Sequence, residues 1–347
     1  MRRFRSYERP NWCQRGRGEV NILLTGAFGN VGQSALDAMA DEGHRVRALD
    51  IDNPRNRRRA RKYSGRPGIQ IIWGDIRDRS AVERASSGCD VVVHLAFVIP
   101  PLTDIDPTLS EQVNVGGTRH VLEAAAKLSP PARVLFVSTF DLFGPTQDEP
   151  PPRRASDPVV ATDTYTAHKL ECENLVQSSG LDWSIVRLAD VPIIGFRSPS
   201  PIMFELPLAN RFEVIHSKDA GLALARAVTC DQVWGRVVLV GGGPSCQVTY
   251  RDFLEGMLSA MGIGTLPDRA FTSRAWPCDW IDSTDAQQLL DYQHHSFADI
   301  MEEVRHRTRA ARPWIRAVSP IARWFILRGS PYLRENRSDE NARMAAD

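Results

Sequence analysis

Thr25-Gly26-Ala27-Phe28-Gly29-Asn30-Val31-Gly32 decides how this chain is read. The apolar run Val20 to Leu24 before it has the pattern of a buried strand, and the amphipathic stretch Val31 to Glu42 after it that of a helix. Glycines at a strand-to-helix turn let the backbone bend tightly and approach a pyrophosphate, whose charge meets free N–H groups at the helix start. A loop chosen only for tight turning is the competing explanation. On the first reading, Thr25, Gly26, Phe28, Gly29, Asn30, Val31 and Gly32 contact a dinucleotide.

Outward from this turn, short apolar runs alternate with helical periodicity. Arg45 to Asp50, Ile69 to Trp73, Val91 to Leu95, Arg133 to Ser138, Trp183 to Leu188 and Arg236 to Val240 read as strands. Glu111 to Leu128 and Tyr165 to Gln177 read as helices. The alternation predicts an α/β fold, a Rossmann-type doubly wound parallel sheet with right-handed crossovers and ligands at the carboxyl ends of its strands. Past Gly241 to Gly243 the alternation stops. Thr249 and Asp252 form a capping-box pattern ahead of a helix Phe253 to Met261, and Asp282 to Leu290 suggests another helix. The expected division is a dinucleotide-binding domain at 19–190 and 212–243, a small C-terminal substrate lobe at 191–211 and 244–312, and an amphipathic tail at 313–347.

Composition bounds the function. The chain has 347 residues, 42% hydrophobic and 24% charged, with net charge +1, which fits a soluble globule and gives no bulk attraction to nucleic acid. Its six cysteines contain no C-x-x-C pair, so neither a zinc site nor a disulfide framework is expected, and a reducing, cytoplasmic setting fits best. The histidines form no paired ligand motif, adjacent His294 and His295 point different ways, and no metal is expected. Residues 1–18 carry Arg2, Arg3, Arg5, Arg9, Arg15 and Arg17 against Glu8; they lack the apolar run of a signal peptide and read as a disordered basic segment. No apolar run is long enough for a spanning helix.

Asp50 ends the second strand, where a carboxylate can accept hydrogen bonds from adenine ribose hydroxyls and repel a 2′-phosphate. NAD is therefore the expected cofactor. NADP is the alternative, because Arg55, Arg57, Arg58, Arg59, Arg61 and Lys62 follow closely. Further along, Tyr165 precedes Lys169 by one helical turn, so both share a face. An ammonium beside a phenol favours phenolate, making Tyr165 a candidate proton acceptor for a substrate hydroxyl, with Lys169 as its partner.

These pieces together resemble the extended short-chain dehydrogenase/reductase family, also called NAD-dependent epimerase/dehydratases, from about Val20 to about Val304. The glycine turn is similar to the family's TGxxGxxG. Gly74-Asp75-Ile76-Arg77-Asp78 resembles the segment whose Asp touches adenine, so Asp75 and Ile76 are implied cofactor contacts. His94-Leu95-Ala96, with Phe97, resembles the cofactor-lining strand end, and Asn114-Val115-Gly116-Gly117-Thr118 the family's helix motif. Val137-Ser138-Thr139-Phe140-Asp141-Leu142-Phe143-Gly144 resembles the serine/threonine strand end, which implies Thr139 as the catalytic hydroxyl with Ser138 beside it. Tyr165 and Lys169 match the acid/base pair, Lys169 also holding the nicotinamide ribose; Leu188 is a further implied contact. His216-Ser217-Lys218-Asp219 looks like an altered H-V-D-D motif. By analogy with relatives, a homodimer would pair through the helices around Glu111 and Tyr165.

Departures from the pattern guide the choice of reaction. Dehydratases of the family carry Asp-Glu after the catalytic threonine, where this chain has Phe140 and Asp141, and phenylalanine cannot donate the required proton. Sugar-nucleotide enzymes have an Asn where Asp190 stands, and a carboxylate there would repel a diphosphate. Arg197 and Arg211 remain as anion-binding candidates. Phe97-Val98-Ile99-Pro100-Pro101 would give the pocket an apolar wall, or simply pack. The expected reaction is hydride transfer between nicotinamide and a fairly apolar secondary alcohol or ketone, resembling a steroid or simple aldehyde/ketone substrate. The alternatives are a nucleotide-sugar epimerase and a non-catalytic NAD(P)-binding sensor or assembly factor. In the tail, 313–328 combines Trp314, Ile315, Ile321, Trp324, Phe325, Ile326 and Leu327 with Arg316, Arg323 and Arg328, interrupted by Pro320. Peripheral contact with a membrane surface, docking on the body, or docking on a second subunit each accounts for it.

Overall fold

A computed structural model describes residues 18–195 and 200–333. The basic segment ahead of Gly18, with Cys13, as well as Arg197 and the end of the tail, lie outside the described residues. Among the described residues nine strands occur in chain order: β1 (Asn21–Thr25), β2 (Arg45–Asp50), β3 (Ile69–Trp73), β4 (Val91–His94), β5 (Arg133–Thr139), β6 (Trp183–Leu188), β7 (Arg211–Glu213), β8 (Arg236–Val240) and β9 (Gln247–Thr249). Seven of them form one parallel sheet in the order β3-β2-β1-β4-β5-β6-β8, while β7 and β9 pair antiparallel. The expected doubly wound sheet is present.

Near-continuous apolar runs make these strands because both faces are covered. Successive side chains alternate between faces, so Ile22 and Leu24 enter one core cluster and Leu23 the other. The first cluster packs β1, β2 and β4 against the helices Asn30–Asp41 and Ser217–Ala227, then continues into the C-terminal region through Leu254, Leu258, Ile300 and Met301. The second lies under the helices Gly117–Ala126 and Thr164–Gln177. The strand order reverses between β1 and β4, which opens a crevice at their carboxyl ends.

Two local departures from the sequence reading bear on the site. The helix expected over Glu111 to Leu128 is broken into Pro107–Glu111, a π turn at Gln112–Gly116, and Gly117–Ala126. The wide turn points buried Asn114 at the loop after β4, where its side chain accepts from Val98 N at 2.7 Å and donates to Val98 O at 3.0 Å. Beyond β8, the Thr249/Asp252 capping box is formed but the helix starts earlier, at Tyr250–Met261. A second capping box, Ser296/Asp299, opens an unanticipated helix, Phe297–Thr308. The five described cysteines are separate buried thiols.

Candidate active site

The glycine turn packs so closely that side chains at Gly26 and Gly32 would strike backbone. Gly26 has φ +66°, and a Cβ there would meet Ala96 N at 2.8 Å; a Cβ on Gly32 would meet Gly26 O at 2.1 Å. Gly29 begins the helix Asn30–Asp41 with its N–H on Gly26 O at 3.0 Å, and Asn30 Nδ2 donates to Val191 O at 2.9 Å. Phe28 contributes only backbone to the turn, because its ring is fully buried between Tyr63 and Trp73. Its N–H donates to Asp50 Oδ2 at 2.8 Å, while Asp50 Oδ1 accepts from Ile51 N and Asn56 Nδ2. Burial holds the Asp50 carboxyl above its ordinary range against these donors and Arg59. In the basic run, Arg57 pairs with Asp52, Lys62 with Asp37, and Arg59 Nη1 donates to Phe28 O at 2.5 Å.

Several residues expected at the cofactor also hold the frame. Thr25 is fully buried; its hydroxyl accepts from Leu95 N and Ala96 N, each at 3.1 Å, and lies 2.7 Å from His94 Nδ1. His94 Nε2 continues to Thr118 Oγ1 at 3.0 Å, and burial followed by the nearby Lys169 charge pushes the imidazole down to about 3. The neutral ring therefore ties β1, β4 and the helix Gly117–Ala126 together. Asn114 likewise grips Val98. Asp75 is bound by the backbone and guanidinium of Arg77, and Ile76 packs on Gly117. The motif resemblance located these positions but could not separate wall from frame, which depends on which way each side chain turns.

The catalytic candidates converge at the end of β5. Ser138, Thr139, Tyr165 and Lys169 line one cavity of about 580 Å³, with Asn30, Val31, Leu95, Phe97 and Leu188. Thr139 Oγ1 donates to Asp141 Oδ2 at 2.8 Å, and Ser138 Oγ is buried without a partner. The helix Thr164–Gln177 presents Tyr165 and Lys169 from a capping box at Asp163 and Thr166. Lys169 Nζ donates to Val137 O at 2.7 Å and sits 3.6 Å above the Phe97 ring; Tyr165 meets Phe97 edge-on.

The electrostatics overturn one expectation. Lys169 was expected to favour the Tyr165 phenolate. Instead the phenol is raised well above its usual range, first by burial, then by Asp141, with Thr139 pulling the other way and Asp163 and Asp190 adding to the rise. Burial also pushes Lys169 down to about 7 and Asp141 up to about 7. Burial sets the direction and the carboxylates add to it, while the ammonium is turned toward a backbone carbonyl.

The family described as NAD dependent epimerase/dehydratase matches residues 22–192, the span that carries both the glycine turn and the Tyr165/Lys169 pair. The chain belongs to the NAD-dependent epimerase/dehydratase family. Among curated relatives, the uncharacterized protein y4nG of Sinorhizobium fredii is 27% identical over 228 residues, which is 61% of this chain and 54% of that protein. An uncharacterized protein of Mycobacterium tuberculosis is 27% identical over 215 residues, 60% of this chain and 20% of its own length. The match thus spans about half of the first relative and a fifth of the second. Solved structures share the fold: dTDP-glucose 4,6-dehydratase from Bacillus anthracis in complex with NAD is 18% identical, TM-score 0.70, over 85% of this chain and 98% of that one. UDP-glucuronic acid 4-epimerase from Bacillus cereus in complex with UDP-glucuronic acid and NAD is 18% identical, TM-score 0.70, over 84% and 99%.

The substrate side of the cavity is largely apolar. Val191, Ile193, Ile202, Met203, Leu206, Phe212, Phe253, Met257, Trp276 and Ile326 wall the cavity, and its charged lining among the described residues is Asp141, Asp163, Asp190 and Lys169. Arg211, expected as an anion binder, is committed elsewhere: its guanidinium pairs with Asp279 at 2.6 and 2.9 Å and donates to the carbonyls of Gln147, Thr146 and Glu149. Sequence reading also missed a histidine cluster. His216 and His295 stack at 4.1 Å beside Asp219, with ligand-type atoms within 4.8 Å of one another. Their lone pairs are engaged: His216 Nδ1 accepts from Lys218 N, His216 Nε2 faces Glu303, and Asp219 accepts from His294 N, His295 N and the His295 ring. The cluster serves as a joint between the helix starts near Ser217 and Phe297.

Proposed function

We propose that this chain is an NAD-dependent oxidoreductase that interconverts a fairly apolar ketone and its secondary alcohol. The observation that carries the substrate class is the lining of the cavity: apolar walls, Asp163 and Asp190 beside an Asp141 carboxyl pushed up to about 7, and one ammonium already bonded to Val137 O. A diphosphate there would meet like charge at low dielectric, whereas a carbonyl on an apolar skeleton would not.

The residues present fit a dinucleotide. A glycine turn that opens the helix Asn30–Asp41 with no side-chain cap on its first N–H groups, and an unpartnered buried Ser138 Oγ beside Thr139, both support it. When bound, the nicotinamide supplies or accepts the hydride. Thr139 would turn its hydroxyl proton from Asp141 to the substrate oxygen, the Asp141 carboxyl then donating to Thr139 Oγ1 when protonated. Tyr165, kept protonated by its surroundings, would deliver its proton to that oxygen in the reducing direction and take it back in the oxidising one. Lys169 supplies positive charge beside the phenol as it loses the proton and holds the nicotinamide ribose. A nucleotide-sugar epimerase reading draws on the fold of the relatives alone, and the binder-only reading leaves the Thr139, Tyr165 and Lys169 constellation without a role.

The test is oxidation of NADH and NADPH followed optically against cyclic ketones, steroids, aldehydes and UDP-sugars. Turnover with apolar ketones and no binding of UDP is expected. A UDP-sugar converted in preference to every apolar ketone would refute the reading.

A further inference from the structure

Residues 312–327 form two short helices, Arg312–Ala317 and Ser319–Leu327. The turn continues through Val318, whose N–H donates to Trp314 O at 3.1 Å and whose carbonyl accepts from Ile321 N and Ala322 N at 3.0 Å. Pro320, which the sequence suggested would interrupt a helix, lies in the first turn of the second one, where a missing N–H costs nothing. Trp314, Val318, Ile321 and Phe325 recur at helical spacing and so share one side, with Trp324 adjoining.

That side is bare. Trp314 is 77% exposed, Ile321 68%, Phe325 63% and Trp324 59%, a concentration of large apolar side chains unlike the scattered singles of an ordinary surface. The opposite side is anchored: Ile326 is buried in the core and lines the substrate cavity, Ser330 Oγ donates to Ala270 O at 2.6 Å, and Tyr332 is buried with its hydroxyl on Glu205. The segment therefore docks on the body through one face and holds the other outward.

Charge identifies the occupant. From Val304 to Leu333 the sequence has Arg305, Arg307, Arg309, Arg312, Arg316, Arg323 and Arg328 and no Asp or Glu. Arg305 and Arg307 reach back to Glu302 and Glu303, whereas the Arg328 guanidinium lies 5.0 Å over the Trp324 ring. Arg312, Arg316 and Arg323 run along the anchored side near Gly262 and Gly264, so the segment as a whole is cationic, and a two-fold contact between copies would bring two such segments together. A layer of lipid phosphates above acyl chains matches it: aromatic and aliphatic groups enter the apolar boundary while arginine stems reach up to phosphate.

We propose that residues 312–327 lie in the plane of an anionic phospholipid bilayer, with Trp314, Ile321, Trp324 and Phe325 inserted. Since Ile326 belongs to the cavity wall, the same helix faces lipid on one side and substrate space on the other. The docking is independent of which substrate the cavity takes.

The full chain is sedimented with vesicles of phosphatidylcholine, with and without phosphatidylglycerol. Recovery on anionic vesicles should exceed that on neutral ones by about tenfold and fall in high salt. Ile321→Glu combined with Phe325→Glu should lower it by about tenfold, while circular dichroism and NADH binding match the parent. Equal recovery with and without anionic lipid, or undiminished binding by the double variant, would overturn the proposal. So would sedimentation velocity showing a parent dimer that the double variant splits.

Discussion

Thr139 Oγ1 donates to Asp141 Oδ2 across 2.8 Å, so the hydroxyl proposed to hold the substrate oxygen is tied to a carboxyl that burial pushes up to about 7. Lys169, pushed down to about 7, titrates in the same range within the same cavity. The two belong to one coupled system, and a pH profile reports the system, not either residue alone.

Asp141→Asn separates them. The folded carboxyl holds its proton up to about 7 while the unfolded one releases it near 3.8, so the parent loses stability as pH rises through that interval. The variant lacks this penalty. Its melting temperature should match the parent's near pH 4 and exceed it above pH 7, and its kcat/KM profile should lose an inflection near pH 7. A difference in melting temperature that stays flat with pH would contradict the burial argument.

Tyr165→Phe removes the proton donor and keeps the ring against Phe97. We expect kcat to fall by about 10²-fold or more, with NADH affinity nearly unchanged, because the phenol acts at the substrate oxygen. Stopped-flow reduction and fluorescence titration read the two quantities separately. Unchanged turnover would remove Tyr165 from the mechanism.

Arg187 and Glu173 make a buried two-pronged ion pair, at 2.8 and 3.1 Å, between β6 and the helix that carries Tyr165 and Lys169. Glu173→Ala leaves the guanidinium buried without its partner. A loss of about 3–5 kcal/mol in urea unfolding is expected, as for other buried pairs broken on one side. A loss under about 1 kcal/mol would mean that the Arg187 charge has reached water.

Much of this was legible from local pattern. Strand runs buried on both faces, the glycine turn and the Tyr165/Lys169 spacing are written in consecutive residues, and the sheet and the convergence at the cavity follow from them. The roles of Thr25 and Asn114 were not legible, because each is bonded to a loop or strand remote in sequence, Thr25 to Leu95 and Ala96 and Asn114 to Val98. The direction of the Tyr165 shift comes first from burial and then from Asp141, Asp163 and Asp190 meeting across the cavity, neither of which a spacing rule reveals. The strands β7 and β9 are three residues each, too short for any alternation to register.

Asp50 offers the sharpest test of cofactor choice. Its carboxylate braces the glycine turn through Phe28 N and stands where the adenine ribose is expected, while half of the neighbouring basic run is spent on Asp52, Asp37 and the Phe28 carbonyl. A 2′-phosphate would therefore meet a fixed negative charge before it met a free arginine. The parent should bind NADH about tenfold more tightly than NADPH, a difference typical of one charge in a partly buried site. Asp50→Asn keeps one acceptor for Phe28 N and removes the charge, so it should narrow that preference chiefly by improving NADPH binding. Fluorescence titration of both cofactors measures the ratio; a variant that loses affinity for both alike would show that Asp50 acts only as a brace for the turn.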